Sequence, residues 1–259
     1  VRSERDGLET EVAFAVPDAR PYEVRRVTLR NKSGRVRRVS VIAGTVFRMD
    51  GYAMPFYYNA ATTSETKYLA DCSAVVCLSH NPYAKFASPH GFVMSSETAD
   101  AFEGYLDNFT GVNGGLTRPI TLEEGKDLSC SCATVRARCG LLQNKLTLAA
   151  GESRTLYYCI GFCEGEKALA EGRFAMLKEA PRLFAHERSE RFGRLRTQCP
   201  DARFNTVFNY WAEKQVSYCA IGKKAVRDNA QLAMGFLNFD TARAKKVLAE
   251  CLAHQYRDG

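Results

Sequence analysis

The sequence predicts an α+β chain, with an antiparallel β-sandwich ahead of a helical segment, and three observations carry that expectation. Short alternating strands separated by turn residues fill the first 165 or so positions. Helical periodicity takes over beyond that point. The change from strand to helix signals near residue 165 marks the most natural boundary. The domain reading is therefore a β-sandwich over 1–165, a helical linker over 166–199, and the start of a helical domain over 200–259.

Each predicted element has a local cause. In "YEVRRVTLRNKSGRVRRVSV", Val27 and Leu29 alternate with polar neighbours, "NKSG" supplies a turn, and Val39 and Val41 resume the alternation. That pattern predicts a β-hairpin. "KYLADCSAVVCLSH" and "GFVMSSE" read as further strands. The segment "SPHGFVMSSETADAFEGYLDNFTGVNGGLTRP" as a whole reads as loop-rich, with Gly111, Gly114 and Gly115 permitting tight backbone. In "NKLTLAAGESRTLYYCIGF", Leu146 and Leu148 alternate, "AAGES" turns the chain, and Leu156 to Phe162 form an apolar strand. Many short strands with turns between them point to a sandwich.

A helix is predicted from Glu166 through "EKALAEGRFAMLKEA", ending or restarting near Pro181, because proline lacks the N–H that a helix interior uses. "LFAHERSERFGRLR" continues in helical character. Farther on, Phe204, Val207, Phe208, Trp211, Gln215 and Tyr218 fall on one helical stripe, with Asp201 as N-cap. On that stripe Trp211 is expected in the core rather than as a sugar-stacking platform. A helix over about 229–237 follows. Asp240 then caps another, "TARAKKVLAECLAHQY", with Ala244, Val247, Leu248, Cys251 and Leu252 on its apolar face. Three such helices do not close a core alone; they either pack on the sandwich or begin an all-helical domain.

Composition narrows the function classes. At 46% hydrophobic and 25% charged residues, the chain has the make-up of an ordinary globular protein, and no apolar run reaches the ~18 residues of a membrane span. It opens on Val, and "VRSERDG" has no apolar signal region. The net charge of +7 is modest. Arg25, Arg26, Arg30, Lys32, Arg35, Arg37 and Arg38 crowd the expected hairpin; they read as a solvated face, without the aromatic interleaving of single-strand binders, so no nucleic-acid partner is expected. The ten cysteines form no C-x-x-C pair and suit a reducing compartment, the cytoplasm. The four histidines show no metal-ligand spacing, so no metal is expected. Sequons occur at Asn31 and Asn108.

"YCAIGKKAVRDNAQL", Tyr218 to Leu232, gathers a glycine, two lysines, an arginine and an aspartate beside an apolar helix. Such a cluster is either a surface loop with a helix-start ion pair or the rim of a polar-ligand site.

The stretch "FNYWAEKQVSYCAIGKKAVRDNAQLAMGFLNFDTARAKKVLAECLAHQYRDG" resembles the barrel entry of glycoside hydrolase family 94, the cellobiose- and chitobiose-phosphorylase-like enzymes formerly grouped as glycosyltransferase family 36. The likeness rests on Asn209, Trp211 and Gln215, on Arg227, Asp228 and Gln231, and on a "GFxxFDxxRA" junction leading to "HQYxDG". "YLDNFTG" and "LTLAAGESRTLYYCIGF" are similar to sandwich motifs of the same family.

The resemblance implies a β-sandwich, a helical linker and the first helices of an incomplete α/α barrel. It implies inverting phosphorolysis of β-linked glucosides to sugar 1-phosphates, with inorganic phosphate as co-substrate and no cofactor. Arg227, Asp228 and Gln231 would line the donor-sugar subsite, and Lys223 or Lys224 would stand where many relatives place a phosphate-binding Arg, a point charge replacing a fork. The family's general acid lies downstream of "HQYxDG"; Asp258 is not that acid, so no catalytic residue is expected within these 259 residues. An incomplete barrel would favour association, including a homodimer. The alternative is a non-catalytic carbohydrate- or partner-binding module.

Overall fold

The computed structural model describes residues 1–17, 20–47, 63–80, 90–134, 137–184, 197–219 and 225–253. The chain divides into two compact units, Val1–Ala185 and His186–Gly259.

Among its described residues the first unit contains ten strands: β1 (Arg2–Arg5), β2 (Leu8–Ala15), β3 (Tyr22–Asn31), β4 (Arg37–Val46), β5 (Thr63–Leu69), β6 (Ala74–His80), β7 (His90–Ser95), β8 (Ala101–Tyr105), β9 (Arg138–Leu148) and β10 (Ser153–Cys163). They form two sheets, a seven-stranded one in the order β1-β2-β3-β10-β7-β6-β5 and a three-stranded one in the order β4-β9-β8. Two short helices, α1 (Leu106–Thr110) and α2 (Ile120–Glu123), follow β8, and a long one, α3 (Glu166–Leu183), follows β10. Strands β7 and β8 and helix α1 thus occupy part of the stretch that composition reads as loop.

β1 and β2 join through Asp6 and Gly7, both at positive φ (52° and 75°), the left-handed pair that a two-residue hairpin turn demands. Every residue of β1 is exposed.

The expected hairpin over β3 and β4 is not one. β3 pairs with β2 and β10 in the large sheet, while β4 pairs with β9 in the small one. The "NKSG" turn therefore carries the chain from one sheet to the other. "AAGES" does the same between β9 and β10. The two arches lie side by side, since β3 pairs β10 and β4 pairs β9.

Asn31 pins them together. It is fully buried, and its two amide hydrogens are shared among the carbonyls of Arg35 (2.7 Å), Leu148 (3.1 Å) and Ala149 (2.9 Å). Its Oδ1 accepts from Ser33 N and Ser33 Oγ, at 3.0 and 2.6 Å. Its backbone N–H donates to Glu152 O and its carbonyl accepts from Gly151 N. That burial makes the Asn31 sequon incompatible with glycosylation of the folded chain.

Strand alternation sorts the side chains into two cores on the faces of the large sheet. Val27, Leu29, Val75, Cys77, Val93, Leu156 and Tyr158 face the small sheet and meet Leu142, Leu146 and Leu148 of β9. Tyr22, Val24, Ala74, Val76, Phe92, Met94 and Cys159 face the other way and meet Leu169 and Ala180 of α3. A third cluster, Phe109, Leu128, Cys139 and Leu141 with Ala101, covers the far side of the small sheet. The unit is thus layered as loops, small sheet, large sheet and helix. "AVVC" reads as a continuous apolar run because both faces of β6 are covered. α3 packs on the sheet, and Tyr22 donates to Glu179 Oε2 at 2.8 Å. Pro181 sits in its last turn, so the helix runs two residues beyond the proline.

Gly44 marks where β4 and β9 approach closest; a Cβ there would lie 1.9 Å from Gly140 O.

Part of the basic cluster is paired with carboxylates. Arg25 pairs with Glu23 (2.6 Å), Arg26 with Glu11 (2.9 Å), and Lys32 with Glu4 and Glu9 (2.8 and 2.6 Å). Arg37 donates to Asp6 O at 2.7 Å. Intramolecular carboxylates thus engage Arg25, Arg26 and Lys32.

The second unit is helical among its described residues: α4 (Ala202–Thr206), a wider turn over Val207–Ala212, α5 (Glu213–Cys219), α6 (Val226–Phe236) and α7 (Thr241–Leu252). Asp201 caps α4, accepting from Arg203 N and Phe204 N, and Asp240 caps α7, accepting from Arg243 N at 3.0 Å, as the sequence predicts. α6 begins three residues earlier than periodicity suggests.

Replacing Asn31 with Ala removes a donor from three backbone carbonyls, that of Leu148 buried, and an acceptor from Ser33 N, a loss of about 1–3 kcal/mol for each group left buried. We expect Asn31→Ala to lower the stability of the sandwich by about 3 kcal/mol or more in urea unfolding. A midpoint unchanged from wild type would remove the pin from the account.

Candidate functional site

The residues that the sequence marks as functional lie in the helical unit. Arg227 and Asp228 occupy the first turn of α6, after the N-cap Ala225. The Arg227 side chain is 84% exposed and that of Asp228 is 31% exposed, with Arg227 Nη2 3.3 Å from Asp228 Oδ1. The carboxylate near the positive end of the helix dipole is favourably placed. Gln231, exposed, follows Asp228 by three positions and Arg227 by four, so the three side chains share one side of the first turn and a half. Together they present a forked cation, a two-oxygen acceptor and an amide, a set able to grip vicinal hydroxyls. Lys223, Lys224 and His254 to Gly259, including Asp258, lie outside the described residues.

The scaffold beneath this cluster explains the "GFxxFDxxRA" pattern residue by residue. Gly235 lets α6 approach α5, since a Cβ there would stand 3.1 Å from both Val216 methyls. Phe236 is buried. Asp240 caps α7, and Arg243 lies with its guanidinium 4.5 Å from the Phe236 ring centroid. Arg243 Nη1 also donates to Ser217 Oγ at 3.2 Å, and Ala244 is fully buried. This junction is a helix corner, and its chemistry is structural.

Asn209 has a structural task as well. Its Oδ1 accepts from Thr197 N and its Nδ2 donates to Thr197 O, both at 2.8 Å. Asn205, one turn earlier, grips Cys199 in the same two-bond manner, at 2.9 and 2.8 Å. Two asparagines four apart thus hold the incoming chain along the helix. Gln215 Nε2 lies 3.4 Å from Cys219 Sγ.

The expectation for Trp211 is corrected. It is 53% exposed, with its ring 6.5 Å from that of Tyr218, itself exposed. Phe204 and Val207 are exposed too. Periodicity identified the stripe, but within these residues no layer covers it. The wider turn over Val207–Ala212 also rotates the stripe away from a strict 3.6-residue repeat.

One polar centre in the sandwich escaped the sequence reading. Glu103 is only 1% exposed and accepts from Ser131 Oγ, from Ser129 Oγ (2.6 Å) and from the N–H of Tyr105 (3.0 Å). Asn108 Nδ2 reaches Ser131 Oγ at 2.8 Å. A serine at every second position opposite "FEGY" is the signal that foreshadows it. With its acceptors already engaged, Glu103 serves as a structural anchor. Among the described residues, no three His, Cys, Asp or Glu stand together as metal ligands, and no helix is long and apolar enough to cross a membrane.

Comparison with known proteins places these features in context. A family model for the supersandwich domain of glycosyl hydrolase 94 matches residues 1–177. Solabiose phosphorylase of Paenibacillus borealis is 30% identical over 251 residues, covering 92% of this chain and 32% of that protein. Cyclic beta-(1,2)-glucan synthase NdvB of Rhizobium meliloti (strain 1021) is 24% identical over 277 residues, covering 99% of this chain and 9% of that protein. Cellobionic acid phosphorylase of Neurospora crassa is 22% identical over 225 residues, covering 82% of this chain and 27% of that protein. The chain spans about a third or less of the length of these relatives.

Asn209→Ala frees both backbone groups of Thr197. We expect faster amide exchange at Thr197 and a loss of about 1–2 kcal/mol in the helical unit, with the sandwich unaffected. Unchanged exchange there would show that the asparagine holds nothing.

Proposed function

Because the chain belongs to glycoside hydrolase family 94, we propose that it forms the amino-terminal portion of an inverting β-glucoside phosphorylase. The observation that carries this reading is the run of similarity to solabiose phosphorylase over 92% of the chain, past the sandwich and into the helices that hold Arg227 and Asp228. In this reading the helical unit opens an α/α barrel. Inorganic phosphate is the co-substrate and no cofactor takes part. The enzyme works in the cytoplasm, where ten free thiols are at home.

The chemistry assigns these residues binding rather than proton transfer. Asp228 accepts hydrogen bonds from two ring hydroxyls of the donor glucosyl unit, Arg227 donates to neighbouring hydroxyl oxygens, and Gln231 donates or accepts through its amide. Lys223 and Lys224 supply positive charge for phosphate. Phosphate oxygen attacks the anomeric carbon from the face opposite the leaving group, the glycosidic C–O bond breaks, and a carboxylic acid elsewhere in the whole protein protonates the departing oxygen. Inversion needs room for the nucleophile between the two faces, the geometry of inverting glycosidases with phosphate in place of water.

A second reading is a non-catalytic carbohydrate- or partner-binding module. It draws on the synthase relative, in which a region matching 99% of this chain makes up only 9% of the protein, so the same unit serves inside a much larger architecture.

Incubating the whole protein with β-linked glucobioses and phosphate should yield glucose 1-phosphate. Arg227→Ala should raise KM for the disaccharide about tenfold or more, as loss of a charge-assisted hydrogen bond worth ~1.5–3 kcal/mol requires. Absence of sugar phosphate with every β-glucobiose would favour the module reading, under which disaccharide binding survives the same substitution.

A further inference from the structure

We propose that Asn113 is a site of spontaneous covalent modification, a deamidation that turns its amide into a carboxylate, and that one turn hydrogen bond sets its pace. Asn113 is the chain's one asparagine followed by glycine. It lies in the connection between α1 and α2, where Asn113, Gly114 and Gly115 are all exposed. Among the described residues nothing binds its side chain. The amides of Asn31, Asn108, Asn144, Asn205 and Asn209 are instead held by hydrogen bonds. Each of those five is followed by a residue whose side chain shields the next backbone nitrogen.

The fold itself demands the glycine that makes this asparagine reactive. A Cβ at position 114 would stand 1.8 Å from Thr110 O at the end of α1, so no larger residue fits there. A Cβ at Gly115 would meet nothing within 4 Å, so solvent reaches the backbone on that side. With no side chain of its own, Gly114 offers an unhindered nitrogen and a backbone free to turn toward the amide.

The reaction needs only water and base. Gly114 N loses its proton to hydroxide and attacks Asn113 Cγ. The new N–C bond closes a cyclic imide, the bond from Cγ to Nδ2 breaks, and Nδ2 takes a proton from water and leaves as ammonia. Water then opens the ring. Attack at Cγ gives aspartate, and attack at the main-chain carbonyl gives isoaspartate, whose backbone runs through the former side chain. Either product takes one unit from the net charge of +7.

The brake is local. Gly114 N donates to Gly111 O at 3.0 Å and closes a β-turn with Asn113 in its third place. Gly111 O also accepts from Oγ1 of the buried Thr110 at 3.1 Å, which anchors the acceptor. The attacking nitrogen is the turn's donor, so the turn must open before the ring can close. An exposed turn opens at little cost. One such bond slows the reaction about two- to tenfold and does not abolish it. The site is independent of the carbohydrate assignment.

The test incubates the whole chain at mildly alkaline pH, once folded and once in urea, and follows every asparagine peptide by mass, with isoaspartyl methyltransferase labelling and amide exchange at Gly114 alongside. The Asn113 peptide should lose its amide before any other, faster as pH rises, and about two- to tenfold more slowly in the folded chain than in urea. That ratio should equal the exchange protection of Gly114, because both processes free the same N–H. Asn113→Gln should abolish the methyltransferase label on this peptide. An Asn113 peptide that keeps its amide while others lose theirs, or a label that survives Asn113→Gln, overturns the site. Equal rates in the folded chain and in urea overturn the brake.

Discussion

The sandwich depends on one buried amide. Asn31 sits where the chain leaves the large sheet, and it binds the carbonyls of both arches at once. No apolar residue of similar size could stand there, because the carbonyl of the buried Leu148 would lose its side-chain donor. Everything that follows from the arches follows from this contact: β3 lies against β10, β4 against β9, and the core between the sheets closes over Leu142, Leu146 and Tyr158.

The same contact shows what a sequence conveys and what it withholds. The strands over 22–31, 37–46 and 153–163 were legible, since alternation is a local property of the chain. Their partners were not. A turn of Asn, Ser and Gly reverses a hairpin and bridges an arch equally well, and the choice is made by a residue more than a hundred positions away. The first hairpin was overlooked although "DG" announces it, because the residues around it are charged and carry little hydrophobic contrast. The burial of both faces of the large sheet likewise turns expected alternation into runs such as "AVVC".

In the helical unit the caps at Asp201 and Asp240 could be read directly, because capping involves neighbours within three residues. The exposure of Trp211 could not. Periodicity reports which residues share a face, and it is silent on whether another layer rests upon that face. The family likeness pointed to Arg227, Asp228 and Gln231 together, and the structure gathers them on the opening turns of α6. It also separates roles that the motif ran together: Asn209 holds the incoming chain and Gly235, Asp240 and Arg243 build the corner, while the polar trio sits on the opening turns of α6.

The outermost strand of the seven-stranded sheet has a further bearing on how this polypeptide behaves in company. β1 is only four residues long, bears two arginines and a glutamate, and exposes them all. An unpaired strand flank invites addition by a neighbouring molecule, and short, charged flanks discourage it. During synthesis, when many copies emerge close together, "RSER" acts as a terminator that keeps one sheet from growing into the next.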